Sequence, residues 1–202
     1  MLVVFDLDGT LIDSSGALLQ AHDAAWASIG LQRPDDKAIL ELVGLPLLDT
    51  MRRLGPEHDA EALAKAYSEA YGPAAERHER LFEGVPQLLE RPFRAAVATG
   101  KSQNGAERAI KRHGLESRFE IIRGGNSVPR PKPYPDMLDA IMDESGTRDV
   151  IMVGDTTYDL EMAQAAGVRA IGVSWGHHSV DRLQPFAPIA HSMEELGEML
   201  DL

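Results

Sequence analysis

The chain has 202 residues, 44% of them hydrophobic, a formal net charge of −12 and no cysteine, which suits one domain or one domain with an insertion. The acidic balance argues against nucleic acid as a partner, because a phosphate backbone needs a basic surface, and the lack of cysteine excludes disulfides and thiolate chemistry. No apolar run reaches about 18 residues and the start lacks basic residues, so we expect no membrane span and no signal peptide, and the lack of cysteine favours a cytoplasmic location.

The first predicted element is a short buried strand of four apolar residues, 2–5. Asp6 and Asp8 follow it directly, and Gly9 breaks the pattern. A strand that ends in two acids places charge at the carboxyl edge of a sheet, where open α/β folds keep their sites. Taken alone, the pair fits an ordinary turn equally well, because aspartate favours turns.

Residues 14–82 show helical periodicity and almost no β-branched runs, which predicts an all-helical insertion after the first strand. Its predicted helices cover residues 18–29, 47–54 and 57–71. The remainder, residues 1–13 and 83–202, would then form the core domain.

From residue 83 onward, predicted strands alternate with predicted helices. The strands cover residues 94–99, 119–122, 149–155 and 169–174, and the helices cover residues 85–90, 102–113, 135–144 and 160–166. A capping box of Ser192 and Glu195 predicts a final helix. This alternation indicates a parallel sheet with right-handed crossovers, which is a Rossmann-like α/β fold.

Polar side chains stand at the ends of three predicted strands. Asp6 and Asp8 follow the first strand, Thr99 ends the second, and Asp155 ends the fourth, with Asp159 four residues later. Parallel strands end at one edge, so we expect these groups to lie together. Clustered carboxylates repel unless a cation sits among them, and Mg²⁺ is the natural choice, whereas the lack of cysteine and the scattered histidines disfavour zinc.

Lys132 is one of only five lysines and lies in the proline-rich run Pro-Arg-Pro-Lys-Pro-Tyr-Pro. Prolines stiffen the backbone, so the run is either a rigid loop before a helix or a platform that aims the lysine at an anion. The string Gly100-Lys101-Ser102 suggests a P-loop, but that motif needs glycine at position 95, where the chain has alanine. We therefore reject a P-loop.

Four segments now resemble, in order, the four motifs of the haloacid dehalogenase (HAD) superfamily. They are Asp6-Leu7-Asp8-Gly9-Thr10, Thr99, Lys132 and the run Gly-Asp-Thr-Thr-Tyr-Asp at 154–159. The helical block is similar to the cap domain of the subgroup that contains phosphoglycolate phosphatase and β-phosphoglucomutase. The resemblance implies a HAD fold with an inserted helical cap, and a Mg²⁺-dependent phosphatase that hydrolyses a small, phosphoglycolate-like phosphomonoester through an aspartyl-phosphate.

The resemblance also implies roles for individual residues. Asp6 would be the nucleophile, and Asp8 would protonate the leaving group and then activate water. Asp6, Asp155 and the backbone carbonyl of Asp8 would hold Mg²⁺. The phosphate oxygens would be bound by Thr99, Lys132 and the backbone N–H of Gly100, while Asp159 would orient Lys132 or a metal-bound water.

Several alternatives stay open at this stage. A dehalogenase would not be expected to carry an acid at position 8, and a non-catalytic interaction protein would be expected to have lost some motif residues. A β-phosphoglucomutase-type mutase shares all four motifs and differs in its cap, where Arg52 and Arg53 are either substrate ligands or a solvated helix face.

Three further expectations concern the cap and the rim. A phosphonate hydrolase would need a cap lysine that forms a Schiff base, and both cap lysines, Lys37 and Lys65, fit surface positions. His177 and His178 are expected in a loop near the rim of the site. The partner would be a small phosphorylated metabolite, and the sequence leaves the oligomeric state open.

Overall fold

A parallel sheet lies at the centre of the protein, which a computed structural model describes over residues 1–201. Its strands are β1 (Leu2–Phe5), β4 (Arg94–Thr99), β5 (Ile121–Gly124), β6 (Val150–Gly154), β7 (Arg169–Val173) and β8 (Ile189–Ala190). They lie in the order β5-β4-β1-β6-β7-β8, and every pairing is parallel. The predicted α/β class is therefore confirmed.

The sheet is buried on both faces because its strands are apolar on both faces, as a parallel sheet requires. In β1, Val3 and Phe5 pack into one core cluster, whereas Leu2 and Val4 pack into another on the opposite face. Neighbouring helices cover these faces: α5 (Val85–Leu89), α6 (Gln103–Arg112), α7 (Asp136–Ser145), α8 (Thr157–Ala165), α9 (Val180–Leu183) and α10 (Met193–Met199).

The strand order reverses beside β1. The chain passes from β1 outward to β4 and β5, and then returns to the other side of β1 to build β6, β7 and β8. Ligands of open α/β sheets bind at such a reversal, outside the carboxyl ends of the strands. Here those ends carry Asp6 and Asp155, and the Asp6 N–H donates to the Val153 carbonyl at 2.9 Å.

The inserted segment forms α1 (Ser15–Ala27), α2 (Asp36–Leu40), α3 (Leu47–Leu54) and α4 (Ala60–His78). These helices share their own apolar cluster, which contains Trp26, Met51 and Leu63. A short antiparallel ladder, β2 (Ile12–Asp13) with β3 (Arg80–Leu81), joins the entry and exit of the segment. Within residues 1–201, no helix is long and apolar enough to cross a membrane.

Several element boundaries differ from the sequence predictions. Helix α4 continues to His78 through Pro73, because Ala74 and Ala75 bury themselves against Ala17 and offset the lost backbone bond. Strand β5 begins two residues later than predicted, since its register with β4 runs to the pair Thr99–Gly124.

The predicted capping box at α10 is half formed, because the Glu195 carboxylate accepts the His191 N–H instead of the N–H of Ser192. The short elements β2, β3, β8, α2 and α9 were not predicted.

Candidate active site

Asp6 lies at the carboxyl end of the central strand and is fully buried. Its Oδ1 is 3.0 Å from Lys132 Nζ, whereas no donor among residues 1–201 bonds its Oδ2. A buried oxygen without a partner is costly, and such atoms in native sites commonly await a ligand or an ion. The free oxygen of Asp6 is thus available for an electrophile or a cation.

Lys132 reaches this centre from the proline-rich loop and is 2% exposed, although lysine is rarely buried. Its ammonium donates to Asp159 Oδ1 at 2.5 Å and pairs with Asp6. Burial alone would lower the pKa of Lys132, but the charges of Asp159 and Asp6 outweigh burial and raise it. Asp159 is itself held by the backbone N–H and hydroxyl of Thr156, at 3.0 and 2.7 Å.

Asp155 is held at the end of β6 by two residues. Thr10 Oγ1 donates to its Oδ1 at 2.9 Å, while the backbone N–H and the ring Nδ1 of His177 lie 2.8 Å from its Oδ2. Burial raises the pKa of Asp155, but the bonds from His177 and Thr10 outweigh burial and lower it. Gly9 is required beside this carboxylate, because its φ is +81° and an added Cβ would lie 2.1 Å from Asp155 Oδ2.

The acids form a cluster that suits a cation. Oxygens of Asp6, Asp155 and Asp159 all lie within 4.8 Å of one another. Burial raises the pKa of Asp6 to about 8; Lys132 partly opposes this rise, and the charges of Asp159, Asp155 and Asp8 add to it. A divalent ion among these oxygens would favour the ionised form of Asp6.

The Asp8 side chain does not join this cluster, and it pairs with Lys101 instead, at 3.0 Å between Oδ1 and Nζ. Lys101 Nζ also donates to the Tyr71 hydroxyl at 2.5 Å, and the Tyr71 hydroxyl donates to Glu79 Oε1 at 2.5 Å. Burial lowers the pKa of Lys101, but the charges of Asp8 and Glu79 outweigh it and raise this pKa. A continuous buried chain of contacts thus links Asp8 to the end of helix α4.

Glu79, at the far end of this chain, is 2% exposed and sits between the inserted helices and β3. Arg112 forms an ion pair with it, and His113 Nε2 is 3.7 Å away. Burial raises the pKa of Glu79, but interactions with His113, Lys101, Tyr71 and Arg112 outweigh burial and lower it to about 2. Glu79 is therefore ionised across the physiological range.

A cavity of about 410 Å³ opens beside Asp6 and Asp8, between the core and the inserted helices. Thr99 and Gly100 line it, so the structure places two of the three predicted phosphate ligands at this opening, while the third, Lys132, contacts Asp6 directly. The inserted segment comes very close there, because a Cβ added to Gly100 would lie 2.5 Å from the Gly44 carbonyl oxygen.

The remaining sequence candidates lie elsewhere. Arg52 and Arg53 are exposed, and Arg52 pairs with Asp49 and Glu61 at 3.4 and 3.5 Å, as a solvated helix face would. Lys37 and Lys65 are exposed on the inserted helices, as expected.

The side chains of the two histidines expected at the rim are buried instead. His177 contacts Asp155 with a side chain only 4% exposed. His178 Nδ1 accepts the Thr157 N–H at 3.0 Å, and its Nε2 lies 3.0 Å from the Glu41 carbonyl oxygen, so it connects the core to the inserted segment. Neither histidine ring is an open group at the rim, because each one contacts residues that are distant in the sequence.

Sequence reasoning missed Lys101, Glu79 and Thr10 as parts of the site. The position of Lys101 could have indicated a role in the site, since it follows Thr99 and Gly100 at the opening of a helix. Once the P-loop was rejected, however, no other role was assigned to it. Thr10 stands in the first motif. Glu79 carried no signal, because an acid at a helix end is ordinary in a sequence.

A buried aspartate and lysine lie at the reversal of a parallel sheet with a helical insertion over them, which defines an enzyme of the open α/β class. The chain belongs to the haloacid dehalogenase-like hydrolase family, whose sequence profile matches residues 3–173. The family, fold and enzyme class predicted from the motifs are therefore confirmed.

Individual relatives agree with this assignment. The chain is 35% identical to "Probable phosphatase IndB" of Dickeya dadantii, over 93% of this chain and 86% of that protein. It is 29% identical to pyrophosphatase PpaX of Halalkalibacterium halodurans, over 99% and 95%. Among solved structures, a haloacid dehalogenase-like hydrolase from Streptococcus pneumoniae superposes with a TM-score of 0.88 at 25% identity, covering 98% of this chain and 97% of that one.

Proposed function

We propose that the protein is a Mg²⁺-dependent phosphatase that hydrolyses a small phosphomonoester through an aspartyl-phosphate on Asp6. One observation carries this proposal: Asp6 is buried with a free Oδ2, while Lys132 is 3.0 Å from its Oδ1. That pair offers a nucleophilic oxygen and a cation for the phosphoryl oxygens side by side. The names of the IndB and PpaX relatives, a phosphatase and a pyrophosphatase, support phosphate chemistry.

In the first half-reaction, an Asp6 oxygen attacks phosphorus and the bond from phosphorus to the ester oxygen breaks. Asp8 gives its proton to the departing oxygen, which leaves as an alcohol. Lys132, the Thr99 hydroxyl and the Gly100 N–H bind the phosphoryl oxygens as charge shifts. Lys132 is already fixed for this role by Asp159.

In the second half-reaction, water attacks phosphorus of the aspartyl-phosphate. Asp8 takes a proton from that water, the acyl phosphate bond breaks, and Asp6 is regenerated with release of inorganic phosphate. Asp8 returns to its protonated form, so atoms and charges balance over the cycle. The buried contact with Lys101 holds Asp8 at the cavity for both steps.

The residues present fit a magnesium ion. Within residues 1–201, Asp6 Oδ2 has no donor and Asp155 Oδ1 accepts only the Thr10 hydroxyl, which leaves lone-pair capacity on two hard oxygens. Asp6, Asp155 and the Asp8 backbone carbonyl would hold the ion, with Asp159 kept for Lys132. When bound, Mg²⁺ would reduce the electrostatic repulsion between the Asp6 carboxylate and the incoming phosphate.

We further propose that residues 14–82 act as a cap over a core of residues 1–13 and 83–202, with a small phosphorylated metabolite as substrate. The cavity between the inserted helices and Asp6 supports this division. The cysteine-free composition favours a cytoplasmic location. A mutase has less support, because Arg52 is exposed and paired with neighbouring acids.

The proposal is tested by phosphate release from 4-nitrophenyl phosphate and a panel of metabolite phosphates. We expect turnover that needs Mg²⁺ and stops with EDTA, and no turnover in Asp6→Asn. Asp139→Asn is the matched control, because Asp139 is an exposed aspartate on α7. Turnover that survives EDTA would remove the metal role, and turnover in Asp6→Asn would remove the nucleophile.

A further inference from the structure

The cavity above Asp6 has two chemically different walls. The core wall carries charged and polar groups, whereas the wall built by the inserted helices is mainly apolar. The apolar residues of that wall are Leu18, Ile39, Leu42, Val43, Leu45 and Leu47. A volume of about 410 Å³ is in the range of pockets that enclose drug-sized ligands, so the cavity accommodates a leaving group well beyond two carbons.

A row of aromatic rings runs along the same wall. His22 meets Tyr67 edge to face, with centroids 5.0 Å apart, and Tyr67 stacks on Tyr71 at 5.5 Å and an interplanar angle of 23°. All three residues line the cavity. Such a row offers flat faces and edges that favour a planar aromatic ligand over a flexible aliphatic one.

His22 adds a polar ring to this apolar wall. The residue is 3% exposed, and its Nδ1 is buried without a hydrogen-bond partner among residues 1–201. Burial lowers the pKa of His22 to about 4, with Arg33 adding to the effect and Asp23 opposing it, so the ring is neutral at pH 7. A neutral imidazole presents one N–H donor and one lone pair, and a buried ring nitrogen left unpaired is unfavourable.

We propose that the apolar wall binds the leaving group of an aromatic phosphate monoester, and that His22 hydrogen-bonds to a heteroatom of that aromatic ring. The proposal rests on the phosphatase function and specifies its substrate class. A small polyanion such as phosphoglycolate would leave His22 unpaired and would leave the apolar wall without a contact. An aromatic leaving group with a ring nitrogen or hydroxyl satisfies both features of the wall.

Esters of primary alcohols provide the sharpest test, because their leaving groups have similar reactivity and differ in binding. The set is ethyl phosphate, phosphoglycolate, benzyl phosphate and the three pyridylmethyl phosphates, each assayed by phosphate release. We expect kcat/KM for benzyl phosphate to exceed that for ethyl phosphate and phosphoglycolate by about tenfold or more. The best pyridylmethyl isomer should exceed benzyl phosphate by roughly two- to tenfold, because it supplies the missing partner of His22.

His22→Phe should reduce the pyridylmethyl-to-benzyl ratio to about one, since phenylalanine keeps the ring and loses the polar atoms. Lys65→Gln, on the exposed face of α4, should keep the wild-type ratio. If His22→Phe fails to fold, the wild-type comparison of the esters still decides the matter, and His22→Gln provides a second variant.

Two outcomes overturn the proposal in distinguishable ways. Equal or higher kcat/KM for the aliphatic esters, with good turnover overall, would overturn the aromatic site and leave the phosphatase function standing. No phosphate release from any ester, including 4-nitrophenyl phosphate, would overturn the phosphatase function and the aromatic site with it.

Discussion

Lys101 lies 3.0 Å from Asp8, measured from Nζ to Oδ1, and both residues belong to the core. The same ammonium donates to Tyr71 and lies 3.5 Å from Glu79, both from the inserted segment. Movement of those helices away from the core would remove two of the three partners of Lys101. The position of the inserted helices and the orientation of the Asp8 carboxyl group are therefore coupled through one buried cation.

Replacement of Lys101 tests this coupling. Lys101→Met should lower kcat by about 10- to 100-fold, because Asp8 loses the contact that orients it and general acid–base catalysis contributes roughly 10²- to 10⁴-fold. Lys101→Arg should retain part of the activity, since it keeps the charge. The measurement is steady-state hydrolysis of 4-nitrophenyl phosphate, with Lys111→Met on the exposed surface as control. A wild-type kcat in Lys101→Met would show that Asp8 is held by other groups.

Asp6→Asn should stabilise the metal-free protein as well as abolish turnover. The pKa of Asp6 rises from 3.8 to about 8 on folding, so its contribution to stability is present below pH 4 and is lost as the pH rises toward 8. We therefore expect the Tm of Asp6→Asn to exceed that of the wild type by at least about 2–4 °C at pH 8, and by less at pH 5. Thermal melts in EDTA measure this difference.

Addition of Mg²⁺ in the same melts provides the complementary result. The ion should raise the Tm of the wild type and have little effect on Asp6→Asn, because a ligand stabilises only the form that binds it. Asp139→Asn should follow the wild type at both pH values. An equal Mg²⁺ response in all three proteins would place the ion away from Asp6.

The central strand and its acids could be anticipated from the sequence because the signal is local. Apolar residues 2–5 end directly in Asp6, and the strand before Asp155 is equally apolar, so the topology of a parallel sheet is enough to bring the two together. The presence of Lys132 in the same site as Asp6 was expected only through the family resemblance, since the proline-rich loop alone does not show where it folds.

The contacts between the inserted helices and the core could not be anticipated in this way. Glu79 is an ordinary acid at a helix end until packing buries it beside Lys101 and Arg112. The burial of His178 likewise depends on a carbonyl 137 residues away, at Glu41. Such pairs depend on how the inserted helices and the core meet, and hydrophobic periodicity carries no information about that contact.

Glu79→Gln should destabilise the protein at neutral pH by about 2–4 kcal/mol, because Lys101 and Arg112 would lose a buried counter-charge. The pKa of Glu79 falls from 4.5 to about 2 on folding, so its contribution is present above pH 4.5 and is lost as the pH falls toward 2. The stability difference between wild type and variant should therefore be largest near pH 7 and shrink on acidification. Urea unfolding at pH 7 and pH 4 measures it.

The matched control for Glu79→Gln is Glu76→Gln, which replaces an exposed glutamate one turn earlier on α4. It should stay within about 0.5 kcal/mol of the wild type, as surface substitutions usually do. If Glu79→Gln and Glu76→Gln were equally stable at pH 7, the buried network would contribute nothing to the attachment of the inserted helices.

Gly100→Ala should interfere with the approach of the inserted segment to the phosphate site. The added Cβ would lie 2.5 Å from the Gly44 carbonyl oxygen and 2.8 Å from that of Leu45, distances that backbone atoms do not tolerate, so the segment has to move away. Displacement by about 1 Å can cost 10²-fold in rate, and we expect a loss of that order in kcat/KM with a smaller loss in stability.

The measurements for Gly100→Ala are steady-state kinetics and small-angle scattering of the variant beside the wild type. Gly72→Ala serves as the comparison for stability, because within residues 1–201 a Cβ there meets nothing within 4 Å apart from its chain neighbours. Its stability should stay within about 1 kcal/mol of the wild type, because the helix preference of alanine is opposed by the following Pro73. Wild-type kinetics in Gly100→Ala would mean that the close approach of Gly44 to Gly100 is not needed during turnover. The substrate would then be held by the core alone, without closure of the inserted helices over Asp6.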